Sequence, residues 1–309
     1  MTLDFINVGY GDAILIRSGS STMLVDCGDW TVGDGGPDSQ RISAADFLRQ
    51  EGIDTLDLLV LTHLHRDHSG GLTKLLECVA VRSFRCNYLP DRIFWGKRVP
   101  VPEGFSAGAR CLLESLNVFL SALAIMERQG TEISLASPGA WPLTPELTAE
   151  CFLEAQPIFE RQAAIWQNVL EDRADNRELE ELDGFINNTS IRLRLSYAGQ
   201  EIELPGDVYA SCWERHQLPP CTLIKLPHHG HGDALTSRLL EMLRPRYAVI
   251  SVSDDRTDDC PSKKIIQLLS QFGVECFFTD AVPCQYAPDQ PHAAIRFRIE
   301  KGVLMVSDV

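Results

Sequence analysis

The stretch Thr62-His63-Leu64-His65-Arg66-Asp67-His68-Ser69-Gly70-Gly71 constrains this chain more than any other feature. Three imidazoles and a carboxylate fall within six residues, directly after the apolar run Leu56-Asp57-Leu58-Leu59-Val60-Leu61. That run is short and ends in Thr and polar residues, so it predicts a buried strand. In an α/β sheet the carboxyl end of such a strand is where chemistry is presented. Imidazole and carboxylate together suit zinc, iron or manganese. No structural motif requires His at i, i+2 and i+5 with Asp at i+4, so a mere surface His cluster is the poorer reading.

The spacing suggests how the donors divide. His63 and His65 are two apart and point the same way in an extended segment. Asp67 and His68 are adjacent and diverge unless the chain turns into a helix there. Ser69-Gly70-Gly71 before Leu72-Thr73-Lys74-Leu75-Leu76 supports that turn. The expected result is two metals side by side, one on His63 and His65, the other on Asp67 and His68. Two metals about 3.5–4 Å apart activate a shared water and clamp a phosphoryl or acyl group.

The run resembles the HxHxDH motif of the metallo-β-lactamase superfamily, and further motifs follow in the family's order. Val8-Gly9-Tyr10-Gly11-Asp12-Ala13 is similar to the VGQGDA opening of the hydrolase domain in ComEC-like DNA-uptake proteins, with Tyr10 in place of Gln. Asp26-Cys27-Gly28 resembles the DxG turn, Asn187-Asn188-Thr189-Ser190 the NxxS strand, Gly206-Asp207 the TGD turn, and His228-His229-Gly230 the HHG turn. The resemblance implies an αββα sandwich that takes residues 1–309 as one domain. It also implies two divalent ions, Zn²⁺ or Mn²⁺. His63 and His65 would hold the first and Asp67 and His68 the second. Asp207 would bridge them, and one of His228 and His229 would complete the second. His229 is preferred because it directly precedes Gly230; His228 would then face the scissile phosphate. Lys225 would either offset phosphate charge or cap a strand end. Asp67 would also steer the attacking hydroxide. Asp26 is expected behind a ligand His, and Asp29 either there too or in an exposed turn. Two departures stand out. No His lies between His68 and His216, so Asn187 takes the place of a third His on the first metal and leaves manganese open. Cys260-Pro261 stands where the family often has His-Pro.

The segment between about 86 and 185 diverges from these motifs. Leu112, Leu113, Leu116, Phe119, Leu120, Leu123 and Ile125 predict a helix over 107–128. Residues 145–182 read as one or two more helices, broken near Pro157. We read 86–185 as a helical insertion, either a cap that selects substrate or a protein partner, or extra core packing. Arg82, Arg85, Arg92, Lys97 and Arg98, interleaved with Phe84, Tyr88, Phe94 and Trp95, could track single-stranded nucleic acid, or form an ordinary solvated loop. The acidic run Glu171 to Asp183 reads as a solvated helix face or mobile loop.

A net charge of −15 does not favour long nucleic acid through the global field. No apolar run is expected to reach the roughly 20 residues of a membrane span, and no secretory leader is visible. Ten cysteines without a CxxC pair suggest free thiols in a reducing cytoplasm. The functional expectation is a two-metal phosphodiesterase or nuclease acting on nucleic acid, in the family's context an effector of a bacterial antiphage or conflict system. The alternatives are a hydrolase of a small phosphodiester, such as a cyclic nucleotide or phosphocholine ester, and a partner-gated subunit of a larger assembly.

Overall fold

Alternation along the strands decides the layering. In β1 (Thr2–Ile6), β2 (Ile14–Ser18), β3 (Ser21–Val25) and β4 (Thr55–Leu61), successive residues point to opposite faces. Phe5, Ile14, Ile16, Val25 and Val60 enter one apolar cluster, while Ile6, Leu15, Leu24, Leu59 and Leu61 enter another. Both faces of this sheet are therefore buried. In this computed structural model, which describes residues 1–253, 260–280 and 291–309, the chain continues through α1 (Ala44–Gln50), which precedes β4. After β4 come α2 (Arg66–Ser69), α3 (Leu72–Leu76), β5 (Ala80–Cys86) and α4 (Ala107–Gln129). Next are β6 (Glu132–Leu135), β7 (Gly139–Pro142), β8 (Leu147–Phe152), α5 (Gln156–Leu170) and α6 (Asn176–Asp183). The second half holds β9 (Arg192–Tyr197), β10 (Gln200–Leu204), α7 (Ala210–Trp213), β11 (Leu223–Lys225), α8 (Ser237–Leu243) and β12 (Tyr247–Ile250). It closes with α9 (Lys263–Gln271), β13 (Glu275–Phe278) and the hairpin β14 (Ala294–Glu300)–β15 (Val303–Asp308).

Two sheets result, ordered β15-β14-β1-β2-β3-β4-β5-β6 and β13-β12-β11-β10-β9-β8-β7. Their facing sides share one core, in which Phe5 and Phe297 from the first sheet meet Leu193, Ile202 and Tyr247 from the second. The outer face of the first sheet packs under α1, α3 and α4, and that of the second under α7, α8 and α9. This is an αββα sandwich. Strands β3 to β6 run parallel, as do β10 to β13. Their carboxyl ends open at one edge of the sandwich, where the loops bearing the sequence motifs gather.

The middle segment departs from the expectation. Residues 86–185 are not a purely helical insertion: β6 extends the first sheet, and β7 and β8 extend the second, β8 pairing with β9 from Leu147↔Tyr197 to Phe152↔Arg192. These strands are short and only half-covered, so their apolar pattern is faint in the sequence. Pro157 does not break a helix; it lies in the first turn of α5, where its missing N–H costs nothing. Helix α4 matches its periodicity, with Ser106 capping it and Gly130 closing it at φ +77°. At 23 residues and mean hydropathy 1.5 in its richest window, α4 is long and apolar enough to cross a membrane, contrary to the sequence expectation. Here Leu112, Leu116, Phe119 and Leu123 are fully buried in the core under the first sheet, which is the packing of a core helix. The nine cysteines within the described residues are free thiols; Cys284 lies outside those residues.

Candidate metal centre

The donor residues come from the carboxyl ends of strands in both sheets. The chain leaves β4 at Leu61, places Thr62 to His65 in the turn that follows, and carries Asp67 and His68 within the short helix α2. It leaves β3 at Val25 to place Asp26, β10 at Leu204 to place Asp207, and β11 at Lys225 to place His228 and His229. Close backbone approach fixes these turns. Gly11 has φ +140°, and a Cβ there would lie 2.3 Å from the Asp67 carbonyl oxygen. Gly206 has φ +60°, and a Cβ there would lie 2.7 Å from that of Ser190.

Asp67, His68, Asp207 and His229 converge with their donor atoms within 4.8 Å of one another. His229 Nε2 lies 3.0 Å from Asp67 Oδ2 and 3.3 Å from Asp207 Oδ2; His68 Nε2 lies 3.1 Å from Asp207 Oδ2. Beside them, His63 Nε2 and His65 Nδ1 face each other at 3.2 Å, and the His63 ring sits 4.2 Å from that of His68.

The back of each ring is held. His68 Nδ1 donates to Asp26 Oδ2 at 2.8 Å. His229 Nδ1 donates to the Ser251 carbonyl at 2.9 Å. Thr62 gives its hydroxyl proton to Asp26 at 2.7 Å, so its oxygen is free to accept from His63 Nδ1 at 3.1 Å. These bonds leave Nε2 of His63, His68 and His229 turned into the cluster, as in carboxylate–histidine–metal arrangements. Between His228 and His229, the choice open in the sequence, the rings differ sharply. His229 is fully buried and inward, whereas His228 is partly exposed, donates from Nδ1 to Asp233 at 2.8 Å and stacks on His231. Both residues adopt φ near +50°, and this pair of left-handed residues turns the two rings apart.

The electrostatics follow from burial against charge. Burial opposes protonation of His68, but Asp207, Asp26 and Asp67 outweigh it and raise its pKa well above the usual value. For His229 burial is likewise outweighed by Asp207 and Asp67, and its pKa rises from 6.5 to about 9. Burial and the neighbouring His68 and His65 drive His63 well down, so it stays neutral. Asp67 is held well below the carboxylate range because His68 and His229 overcome its burial. Asp207 is held down by Lys225, His229 and His68 in the same way.

Lys225 corrects one expectation. It does not reach a substrate phosphate: along β11 it shares the face of Leu223, which points between the sheets, and it is fully buried. Its ammonium pairs with Asp12 and, at 3.0 Å, with Asp207. Asp207 Oδ1 also accepts from the His228 backbone N–H at 3.0 Å. The interleaved aromatics are a second correction. Phe84, Tyr88 and Phe94 are core residues and offer no stacking surface, whereas Trp95 is partly buried with Arg92 over its ring at 5.3 Å. Arg85 instead covers the Trp141 ring at 4.0 Å. Asp29 stands apart from the histidines and pairs with Arg66 at 3.0 Å. Cys260 places its thiol on the His229 carbonyl, at 2.7 Å.

Several residues at the site went unassigned in the sequence. Asp12 lies inside a quoted motif, but only the fold shows Lys225 as its partner. Tyr209, two residues after Asp207, accepts from the Asn187 amide at 3.3 Å. Asp183 and Asp233 carried no signal because neither belongs to a quoted motif; they pair with His65 and His228, which do.

A model of the metallo-β-lactamase superfamily matches residues 6–105. The solved structure of YhfI from Bacillus subtilis, described as a metallo-β-lactamase fold protein, aligns with a TM-score of 0.51 at 11% identity, covering 90% of this chain and 95% of that one. This chain has the metallo-β-lactamase fold. The isothiocyanate hydrolase from Delia radicum gut bacteria aligns at TM-score 0.50 and 14% identity, covering 97% of this metallo-β-lactamase-fold chain and 99% of its own. ComE operon protein 3 of Bacillus subtilis (strain 168) is 22% identical over 292 residues. That alignment spans 90% of this chain but 32% of the relative, so the chain covers about a third of that protein's length. The matched model covers about a third of the chain, the aligned structures show the fold, and the donor cluster is one that could hold a metal ion.

The residues fit divalent metals. The donors are imidazole nitrogens and carboxylate oxygens, the set that suits zinc or manganese. Asn187, 3% exposed, leaves its side-chain oxygen without a hydrogen-bond partner, an unsatisfied acceptor of the kind a cation would relieve.

Proposed function

We propose that the protein is a two-metal phosphodiesterase. The observation that carries the reading is the convergence of two ring nitrogens, of His68 and His229, with the carboxylates of Asp67 and Asp207, beside the facing pair His63 and His65, with His63, His68 and His229 hydrogen-bonded from behind. His63, His65 and the Asn187 oxygen would hold one ion, Asp67, His68 and His229 the other, and Asp207 would serve both. When bound, two such ions supply Lewis acidity and a nucleophile available at neutral pH.

The remaining residues act on substrate. His228, at the mouth and held on Nδ1 by Asp233, would face a phosphoryl oxygen with its other ring nitrogen. Tyr209 accepts from Asn187, which leaves its own hydroxyl proton to donate into the cleft. Lys225 and Asp26 stay behind the donors and fix their charge and orientation.

The substrate class rests on two lines. Resemblance to the hydrolase domain of DNA-uptake proteins supports nucleic acid, and with it a nuclease of bacterial conflict or antiphage defence acting in the cytoplasm. The buried aromatics and the carboxylates Asp183 and Asp233 beside the donors favour a small phosphodiester instead. A partner that gates activity would use the face built by 86–185. The test is cleavage of single-stranded DNA, duplex DNA, RNA and bis-p-nitrophenyl phosphate with Mn²⁺ or Zn²⁺, beside Asp67→Ala. Metal-dependent cutting of polymer that vanishes in the variant supports the nuclease. Turnover of the small ester alone supports the second reading, and metal binding without turnover of any substrate sinks both.

A further inference from the structure

Each of the four inward-turned histidines needs something on its other nitrogen, because that partner selects the tautomer that leaves a lone pair for a metal. For His63, His68 and His229 the partners are Thr62, Asp26 and Ser251, all placed by the loops at the strand ends. His65 is turned the other way. Its Nδ1 faces the cluster at 3.2 Å from His63 Nε2, and its Nε2 faces outward. The group it meets there is Asp183, with Oδ1 at 3.4 Å. Asp183 is the last residue of α6, far along the chain in the segment that diverges from the family pattern.

The surrounding structure is shaped to put that carboxylate there. Leu179 and Leu182 bury one face of α6 in the core beneath α4. The side chain of Asn176 accepts from the Ser106 backbone N–H at 2.7 Å, which ties the start of α6 to the cap of α4. Asp183 then lies against the first turn of α4 at Gly108, where a Cβ would come within 2.4 Å of its Oδ2. A side chain at 108 would push the carboxylate away from His65.

We propose that Asp183 is a positioning residue for the first metal: it holds the Nε2–H tautomer of His65 and so turns Nδ1 into the site. This inference rests on the two-metal reading above. It also gives the middle segment a role at the centre, and at the ion that Asn187, in place of a histidine, leaves most weakly held.

The experiment is Co²⁺ and Zn²⁺ titration of the metal-free full chain, followed by calorimetry and by the visible Co²⁺ spectrum, for wild type, Asp183→Asn, Asp183→Ala and Asp183→Glu. We expect two ions in the wild type. Asp183→Ala should weaken one of them about 10–100-fold, change its Co²⁺ band and leave the other ion untouched, and Asp183→Glu should recover part of the loss. Asp183→Asn keeps an acceptor of the same shape, so it folds and should fall between the two. Equal affinities in all four proteins, or equal weakening of both sites, overturns the role of Asp183. A wild type that binds neither metal overturns the two-metal reading itself, which is a different result.

Discussion

Replacing Lys225 by Met tests the charge logic of the site most directly. Met keeps the length and apolar stem of Lys, so little cavity forms and the change is nearly one of charge alone. The side chains of Lys225, Asp12 and Asp207 are 1%, 2% and 2% exposed, so water cannot take over when the ammonium goes. Removing one partner of a buried ion pair costs about 3–5 kcal/mol, because an uncompensated charge is left behind. Here one ammonium serves two carboxylates, which places the loss toward the upper end. For 309 residues, an unfolding entropy of about 2.1 cal/mol/K per residue converts that range to a fall of roughly 5–8 °C in Tm. The assay is urea and thermal unfolding in EDTA, with the urea m-value expected to stay constant. Adding Zn²⁺ should recover part of the loss, since a cation on Asp207 replaces the missing ammonium. Asp12→Asn in the Lys225→Met background should recover part of it without metal. A metal-free Lys225→Met protein within about 1 kcal/mol of wild type would refute the reasoning, because it would mean that these carboxylates need no buried cation.

The pH dependence of stability should differ with and without metal. His68 and His229 have raised pKa values in the metal-free cluster, so their stabilisation is complete below about 6.5 and is lost as pH rises through the raised values, about 9 for His229. In EDTA the Tm should fall over that interval; with Zn²⁺ the ion must displace those protons, so the increment due to metal should grow. A Tm in EDTA that is flat from pH 6.5 to 9 contradicts the assigned charges. Gly11→Ala should cost at least about 2 kcal/mol and weaken the Asp67 site, because its Cβ meets the Asp67 carbonyl, whereas Gly19→Ala, with φ +59° and open space, should cost about 1 kcal/mol. Denaturation midpoints and metal titration of the pair check this, and equal effects would count against it. His229→Ala should lose tightly bound metal, while His228→Ala should keep it and lose about 10²-fold in kcat. Metal analysis of the two proteins decides, and loss of metal from His228→Ala reverses the assignment.

Particular residues explain what could be read beforehand. The HxHxDH run was legible because four donors in six residues have no packing explanation, and the strand before it is apolar on both faces. Long elements buried on one stripe, such as α4, were legible from periodicity. Strand β5 was missed because Arg82 and Arg85 interrupt its apolar pattern, and β6 to β8 because each lies near a sheet edge, where half the residues meet water. Lys225 was misjudged because a lysine beside a catalytic motif is most often solvated, and only the alternation along β11 sends it between the sheets. The partnerships of Asp12 with Lys225 and of Asp183 with His65 join residues more than 100 positions apart, and nothing local encodes them.

The same charges bear on which phosphate the cleft would accept. Four carboxylates, those of Asp12, Asp26, Asp67 and Asp207, meet one ammonium and two protonated imidazoles in the metal-free protein, which leaves the cluster with about one net negative charge. Exchange of those two imidazole protons for two divalent ions would leave it about one charge positive, and about neutral once the attacking hydroxide is counted. A phosphodiester adds a single negative charge to that site. A phosphomonoester adds close to two, in a setting where Asp183 and Asp233 already stand nearby. Those two carboxylates are 43% and 50% exposed and thus screened, so they bias the choice less than the buried four. Burial makes each uncompensated charge costly. On this count a diester is favoured over a monoester independently of any likeness to other proteins. Turnover of p-nitrophenyl phosphate faster than bis-p-nitrophenyl phosphate would show that the balance is struck elsewhere.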